Sequence, residues 1–321
     1  MKTKLFKSTT FLILMLVANI YKSQGPIIRD KWDTLYKNPT VITSGIFTHK
    51  NNIVLNNNIL YYGDTANILQ TNSKSFIKSF NTTTNLLSNI SFTKTPEDVG
   101  LNCATSVTTN TANLKYVYFG ARCDNINQTN NFTIYKLNSQ TSVVTSDTIN
   151  HASATNSYGI ENLCFFSPTT NHDSLLIFGN FPTSTQIYKK HYNQTGYINS
   201  NVSLAIEKIT KTIVYNNVLY IGGYGANTMG LLINSTNGNT YTVNTNTSAF
   251  LMGGQYITDM DTLNNELYLS VFVTDGYYSI YKTNDGITFN ELISPWPFGY
   301  VTSLKKFKGK MWYSINEGSA C

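Results

Sequence analysis

Much of the chain is a succession of short apolar runs set in polar sequence rich in Asn, Thr and Ser. One arrangement recurs: two or three apolar or aromatic residues, then Gly or Ser. It reads Leu60-Tyr61-Tyr62-Gly63, Val117-Tyr118-Phe119-Gly120, Leu176-Ile177-Phe178-Gly179, Leu219-Tyr220-Ile221-Gly222, Leu267-Tyr268-Leu269-Ser270 and Met311-Trp312-Tyr313-Ser314. The small residues are spaced by 57, 59, 43, 48 and 44 positions. Asn57-Asn58, Asn216-Asn217, Asn264-Asn265 and Lys308-Gly309 precede four of the runs and are hairpin dipeptides. The segments before them, residues 257–263 and 301–307 among them, predict the partner strand. A second pattern follows each of the first five runs and predicts a third strand: Ile68-Leu69-Gln70, Ile134-Tyr135-Lys136, Ile187-Tyr188-Lys189, Leu232-Ile233-Asn234 and Ile280-Tyr281-Lys282.

Two turns after the third strand are nearly alike, Ser235-Thr236-Asn237-Gly238-Asn239-Thr240-Tyr241 and Thr283-Asn284-Asp285-Gly286-Ile287-Thr288-Phe289. Asn-Gly and Asp-Gly take positive φ cheaply, as a tight turn requires. The residues that follow, 288–292 for example, predict a fourth strand. A four-strand unit repeated at this spacing predicts an all-β, six-bladed β-propeller, since such blades run about 40–50 residues. A β-solenoid would repeat at roughly 20–30 residues, and a sandwich has no reason to repeat a four-strand unit. The sixth unit stops after Ser314, with seven residues remaining. Leu35-Tyr36-Lys37 copies the third-strand pattern without a unit before it, and residues 41–47 could follow as a fourth strand. The N-terminal segment is therefore expected to complete the last blade, which would also protect a sheet edge.

The two turns resemble the Asp-box turn of secreted sialidase-like propellers, with consensus Ser-x-Asp-x-Gly-x-x-Trp; each is one residue shorter and ends in Tyr or Phe. The repeat as a whole resembles secreted bacterial β-propellers with degenerate Asp-box or Kelch-like repeats. The resemblance implies architecture, because the Asp-box joins the third and fourth strands of a blade and is structural.

Composition adds compartment. Lys2, Lys4 and Lys7 precede an apolar run over residues 11–17, extended to Ile20, and Ser23 and Gln24 follow. This is the layout of a signal peptide, and the run is half of the roughly 20 apolar residues a spanning helix needs. We expect residues 1–24 to be a leader cleaved near Ser23-Gln24, and 25–321 to form one domain, exported to the periplasm, the cell surface or the medium, with no membrane span. Without the four lysines of the leader, nineteen basic residues face seventeen acidic ones, so the formal +6 falls to about +2. Only Arg29 and Arg122 are arginines, and no basic cluster suggests a nucleic-acid partner. Cys103, Cys123, Cys164 and Cys321 allow three complete disulfide pairings in an oxidising compartment.

The inventory argues against several chemistries. A sialidase holds its substrate carboxylate with three arginines, chosen for their bidentate fork; here there are two in all. His49, His151, His172 and His191 are scattered and read as surface residues. Asp259-x-Asp261 puts two carboxylates on one strand face, as weak candidates for Ca2+ or for an acid/base pair, against a plain polar strand face; no other cofactor is expected. The loops between second and third strands carry the ligand candidates: Arg122, Asp124, Phe181, Tyr224, Asp275, Tyr277 and Tyr278. Tyrosine faces over carboxylates suit a sugar. Five Asp-Ser/Thr-aliphatic triplets, Asp147-Thr148-Ile149 among them, are similar to an O-glycosylation pattern of Gram-negative secreted proteins. The leading expectation is a monomeric, non-catalytic recognition module for a glycan or protein. The alternatives are a polysaccharide-acting hydrolase or lyase with channel carboxylates, and a structural propeller of an adhesin-type protein.

Overall fold

Paired asparagines with positive φ open the hairpins: Asn216 (48°) with Asn217 (60°), and Asn264 (50°) with Asn265 (57°). Two consecutive left-handed residues match the twist of the strands they join. The computed structural model describes residues 53–56, 58–63, 75–93, 98–108, 115–123, 131–150, 159–167, 174–181, 184–191, 196–204, 206–225, 229–248, 250–251, 255–273, 277–296, 300–307 and 309–316. Within them lie five four-stranded antiparallel units and one strand pair. Unit one is β1 (Ile53–Asn56), β2 (Ile59–Gly63), β3 (Ser75–Asn81) and β4 (Leu86–Phe92). Unit two is β5 (Asp98–Thr108), β6 (Lys115–Cys123), β7 (Asn131–Asn138) and β8 (Val144–Asn150). Unit three is β9 (Gly159–Phe166), β10 (Ser174–Phe181), β11 (Ser184–His191) and β12 (Ile198–Leu204). Unit four is β13 (Lys208–Tyr215), β14 (Val218–Tyr224), β15 (Gly230–Ser235) and β16 (Thr242–Val243). Unit five is β17 (Tyr256–Leu263), β18 (Glu266–Val273), β19 (Tyr277–Thr283) and β20 (Asn290–Trp296), and the last pair is β21 (Tyr300–Phe307) with β22 (Lys310–Asn316). One bridge, Arg122 to Gly159, joins the sheets of units two and three.

The apolar runs are continuous because both faces of each sheet are covered. In β6, Val117 and Phe119 face unit one, while Tyr118 faces unit three. In β10, Leu176 and Phe178 pack with Ile209, Leu219 and Ile221 of unit four, and Leu175 and Ile177 with Phe132 and Ile134 of unit two. Five apolar clusters result, each lying between two consecutive units. The first strands pack against one another in succession, β1 on β5, β5 on β9, β9 on β13, β13 on β17 and β17 on β21. The units are thus laid face to face with their first strands innermost.

The recurring Gly or Ser has a structural cause. The ladder between first and second strands slips by one residue opposite Gly120, Gly179, Gly222, Ser270 and Ser314. A Cβ on Gly120 would lie 2.6 Å from Ile160 Cγ2, and one on Gly179 2.5 Å from the Phe132 ring. The small residue lets a neighbouring unit close onto the bulge.

One predicted strand is displaced. The third strand of unit one is β3, not Ile68-Leu69-Gln70, which lies outside the described residues. The leader and the proposed closing segment, residues 34–47, also lie outside them.

Candidate functional site

The innermost strands carry charge where the core would otherwise be apolar. A bulge re-aims side chains, and the bulged residues of β9 and β13 both reach the next unit. Glu161 Oε2 accepts the Ile209 N–H at 3.0 Å, and Thr210 Oγ1 donates to the Ile257 carbonyl at 2.6 Å. Burial pushes the Glu161 carboxyl up to about 7, against the pull of the Ile209 N–H and of Lys208. Further along, three successive units contribute one charge each. Asp259 is fully buried and stands between Lys211 and Lys305, 3.8 Å from each ammonium. Its Oδ1 accepts the Met260 N–H and its Oδ2 the Leu304 N–H, both at 2.9 Å. Burial alone would lower Lys305, but Asp259 and Asp261 outweigh it and hold the ammonium above its usual range.

Asp259 and Asp261 do share a face: both reach β21, Asp261 Oδ2 accepting the Lys306 N–H at 2.8 Å while its Oδ1 takes the Thr262 N–H. Each carboxylate ties two strands together. A cation entering there would compete with backbone donors and with two ammonium groups, so the donor set is a poor fit for Ca2+. Among the described residues no three His, Cys, Asp or Glu side chains gather as a metal site.

Where the second strands end and the third begin, aromatic rings collect. Tyr224 of β14 lies 5.1 Å from Tyr256 of β17, which lies 5.1 Å from Phe272 of β18. Burial, then the charges of Glu161 and Glu207, raise the Tyr224 hydroxyl. Tyr277 follows at the start of β19, 38% exposed, while its neighbour Tyr278 is buried with Ile280, Val301 and Leu304 between the last two units. Tyr224, Tyr277 and Tyr278 therefore belong to one end of the sheets, and Tyr277 is the most exposed of the three. Arg122 is the penultimate residue of β6 and Phe181 the last of β10, both known by backbone alone, and Asp124 and Asp275 lie outside the described residues. Sequence reasoning overlooked Glu161, Lys211, Lys305 and Tyr256. The available signal was a charged residue on a first strand beside the bulge, in segments such as Lys208-Ile209-Thr210-Lys211.

Other candidates have structural employment. Asp285 Oδ1 accepts the N–H groups of Ile287 and Thr288 at 2.8 and 2.7 Å and the Thr283 hydroxyl at 2.8 Å, around Gly286 at φ 73°. Asn237 Oδ1 accepts from Asn239 and Thr240, both at 2.8 Å, around Gly238 at φ 69°. Asn81 and Asn138 make the same pair of contacts in units one and two. Cys103 and Cys164 are buried free thiols, Cys164 pushed up to about 12 by burial. His191 meets the Ser174 hydroxyl at 3.0 Å.

No family model and no curated protein matches the sequence. The fold has counterparts among solved structures. A putative 6-phosphogluconolactonase from Bacteroides uniformis superposes with TM-score 0.53 at 12% identity, over 80% of this chain and 74% of that one. A prolyl endopeptidase gives 0.51 at 8% identity, over 82% and 39%. Trypanosoma rangeli sialidase gives 0.47 at 10%, over 82% and 51%. This chain thus spans about half or less of the endopeptidase and the sialidase. Its structural neighbours are β-propeller proteins, and the likeness is one of fold.

Proposed function

We propose that the protein is an exported, monomeric six-bladed propeller that binds a glycan, without turnover, at the end of the sheets where Tyr224, Tyr256 and Phe272 gather and Tyr277 stands on the next strand. The ring cluster carries this reading. Aromatic faces shed water readily onto the apolar faces of sugar rings, and the Tyr224 hydroxyl feels the negative charges of Glu161 and Glu207. The leader of residues 1–24 places the domain outside the cytoplasm. Residues 34–47 supply the missing strands of the last blade, pairing beside β22, which otherwise presents an edge.

One observation favours a second reading, a polysaccharide-acting enzyme: a buried carboxyl at about 7, as on Glu161, suits a proton donor at neutral pH. A glycan-array screen run beside an activity screen on polysaccharides separates the two. Binding without product supports the first. Product formation that Glu161→Gln abolishes supports the second, and a protein bait retained where no glycan is would replace both.

A further inference from the structure

The third-strand pattern ends in lysine in three units, at Lys136, Lys189 and Lys282, and what answers the lysine differs. In unit five, Tyr268 of β18 faces Lys282 of β19, and Glu266 stands two residues before Tyr268 on the same strand face. Lys282 donates to Glu266 Oε1 at 2.7 Å, and the Tyr268 hydroxyl donates to Oε2 at 2.8 Å. Unit two has the same register: Tyr118 of β6 faces Lys136 of β7, and Tyr116 holds the place of Glu266. A ring thus replaces the carboxylate. The Lys136 ammonium lies 3.9 Å from the centre of the Tyr116 ring and 5.9 Å from that of Tyr118. A ring face attracts a cation, but no described residue offers the three N–H donors of Lys136 a hydrogen-bond acceptor. A second ammonium stands across the interface with unit three. Lys190 donates to Asp147 Oδ2 at 2.8 Å, the Tyr197 hydroxyl donates to the same oxygen at 2.9 Å, and Lys190 lies 4.6 Å from the Tyr197 ring. Burial, then the charge of Lys190, hold Lys136 below its usual range, against the pull of Asp147. The two ammoniums therefore repel, and Asp147, bonded to one of them, leaves the cluster a net positive charge. Asp147 keeps 39% of its side chain exposed and Lys190 17%, so the cluster opens to solvent. It lies at the start of β6 and the end of β7, the opposite end of the sheets from Tyr224 and Tyr277.

From this geometry we infer that Lys136 and Lys190 form a carboxylate site, where a small acid, on its own or as the acid group of a uronic sugar, takes the part that Glu266 plays in unit five. The ligand carboxylate accepts from Lys136, supplies the second negative charge and relieves the repulsion between the ammoniums. Asp147 and Tyr197 hold Lys190 in place beside it. The site stands apart from the ring cluster and does not depend on it.

The test is calorimetric titration of the full chain with glucuronate, acetate and glucose. Glucuronate should bind and glucose should not, with affinity falling as salt is added. Lys136→Gln should weaken glucuronate binding roughly ten- to hundredfold, and Lys136→Arg should keep it. Tyr116→Glu is the sharper variant: it builds the lysine–carboxylate pair of unit five into unit two, so it should stay folded and lose glucuronate binding. Where Tyr116→Glu fails to fold, Lys136→Gln against Lys136→Arg decides. Tyr277→Ser, at the other end of the sheets, should leave glucuronate binding unchanged. Acetate bound as tightly as glucuronate upholds the site with the carboxylate alone recognised, and tighter glucuronate upholds it with the sugar held as well. Equal binding of glucuronate and glucose, glucuronate binding untouched by Lys136→Gln and Tyr116→Glu, or no binding of any of these ligands overturns the site.

Discussion

Two carboxyl groups show how position decides what an acidic residue does. Asp285 sits on the surface with three donors on one oxygen, and those donors hold it down at about 2. Glu161 is buried with one backbone donor, and burial holds it up at about 7. The signs follow by linkage. The stabilisation from Asp285 is complete above the unfolded value of about 3.9 and fades as pH falls towards 2. Asp285→Ala should therefore lower the thermal midpoint at neutral pH, flatten its fall in acid, and leave ligand affinity unchanged; Asn237→Ala should lower the midpoint likewise. Loss of binding with unchanged melting would mean the turn touches ligand instead. Glu161 works in the opposite sense: its protonated form is preferred in the fold, so its contribution is full below about 4.3 and is lost as pH rises through 7. Glu161→Gln should remove a pH-dependent loss of roughly a few kcal/mol between about pH 4.3 and 7, read as a flatter plot of denaturation midpoint against pH.

Most strands were legible in the sequence because both sheet faces are covered, so runs such as Leu176-Ile177-Phe178 stay apolar without alternation. The small residue ending each run was legible as a repeat, but its cause was not: only the ladders reveal a slip opposite Gly120, Gly179, Gly222, Ser270 and Ser314. Gly179→Ala tests that cause. With the Phe132 ring 2.5 Å from the new Cβ and fully buried, the substitution should cost about 1–3 kcal/mol in denaturant unfolding. A neutral outcome would mean that unit three closes more loosely on unit two. The third strand of unit one was misplaced because Ile68-Leu69-Gln70 and Phe76-Ile77-Lys78 are equally apolar. What selects the latter is the Asn81 turn, where Thr82 donates both its N–H and its hydroxyl to the Asn58 carbonyl and locks β3 beside β2. The inner-strand lysines escaped notice because a lysine on a strand ordinarily marks a solvent face; β13 and β21 place theirs against Asp259 of β17 instead.

At the scale of the molecule, stability is shared among five interfaces between consecutive units, and the last unit has an interface only with unit five among the described residues. An open pair of strands leaves backbone donors and acceptors without partners. A chain beginning at Ser44, lacking Leu35-Tyr36-Lys37, should melt lower and aggregate more than one beginning at Gly25; equal stability would refute closure by the N-terminal segment. On the glycan reading, binding falls at the end of the sheets where Tyr224, Tyr256 and Phe272 meet, with Tyr277 38% exposed on the neighbouring strand. The most direct measurement is the affinity of an array-selected oligosaccharide for the protein, Tyr277→Ser and Asp285→Ala, by calorimetry. Tyr277→Ser should weaken binding about three- to tenfold at unchanged melting temperature, while Asp285→Ala keeps full affinity. Undiminished binding by Tyr277→Ser, or a loss confined to Asp285→Ala, would contradict a glycan site at this end of the sheets.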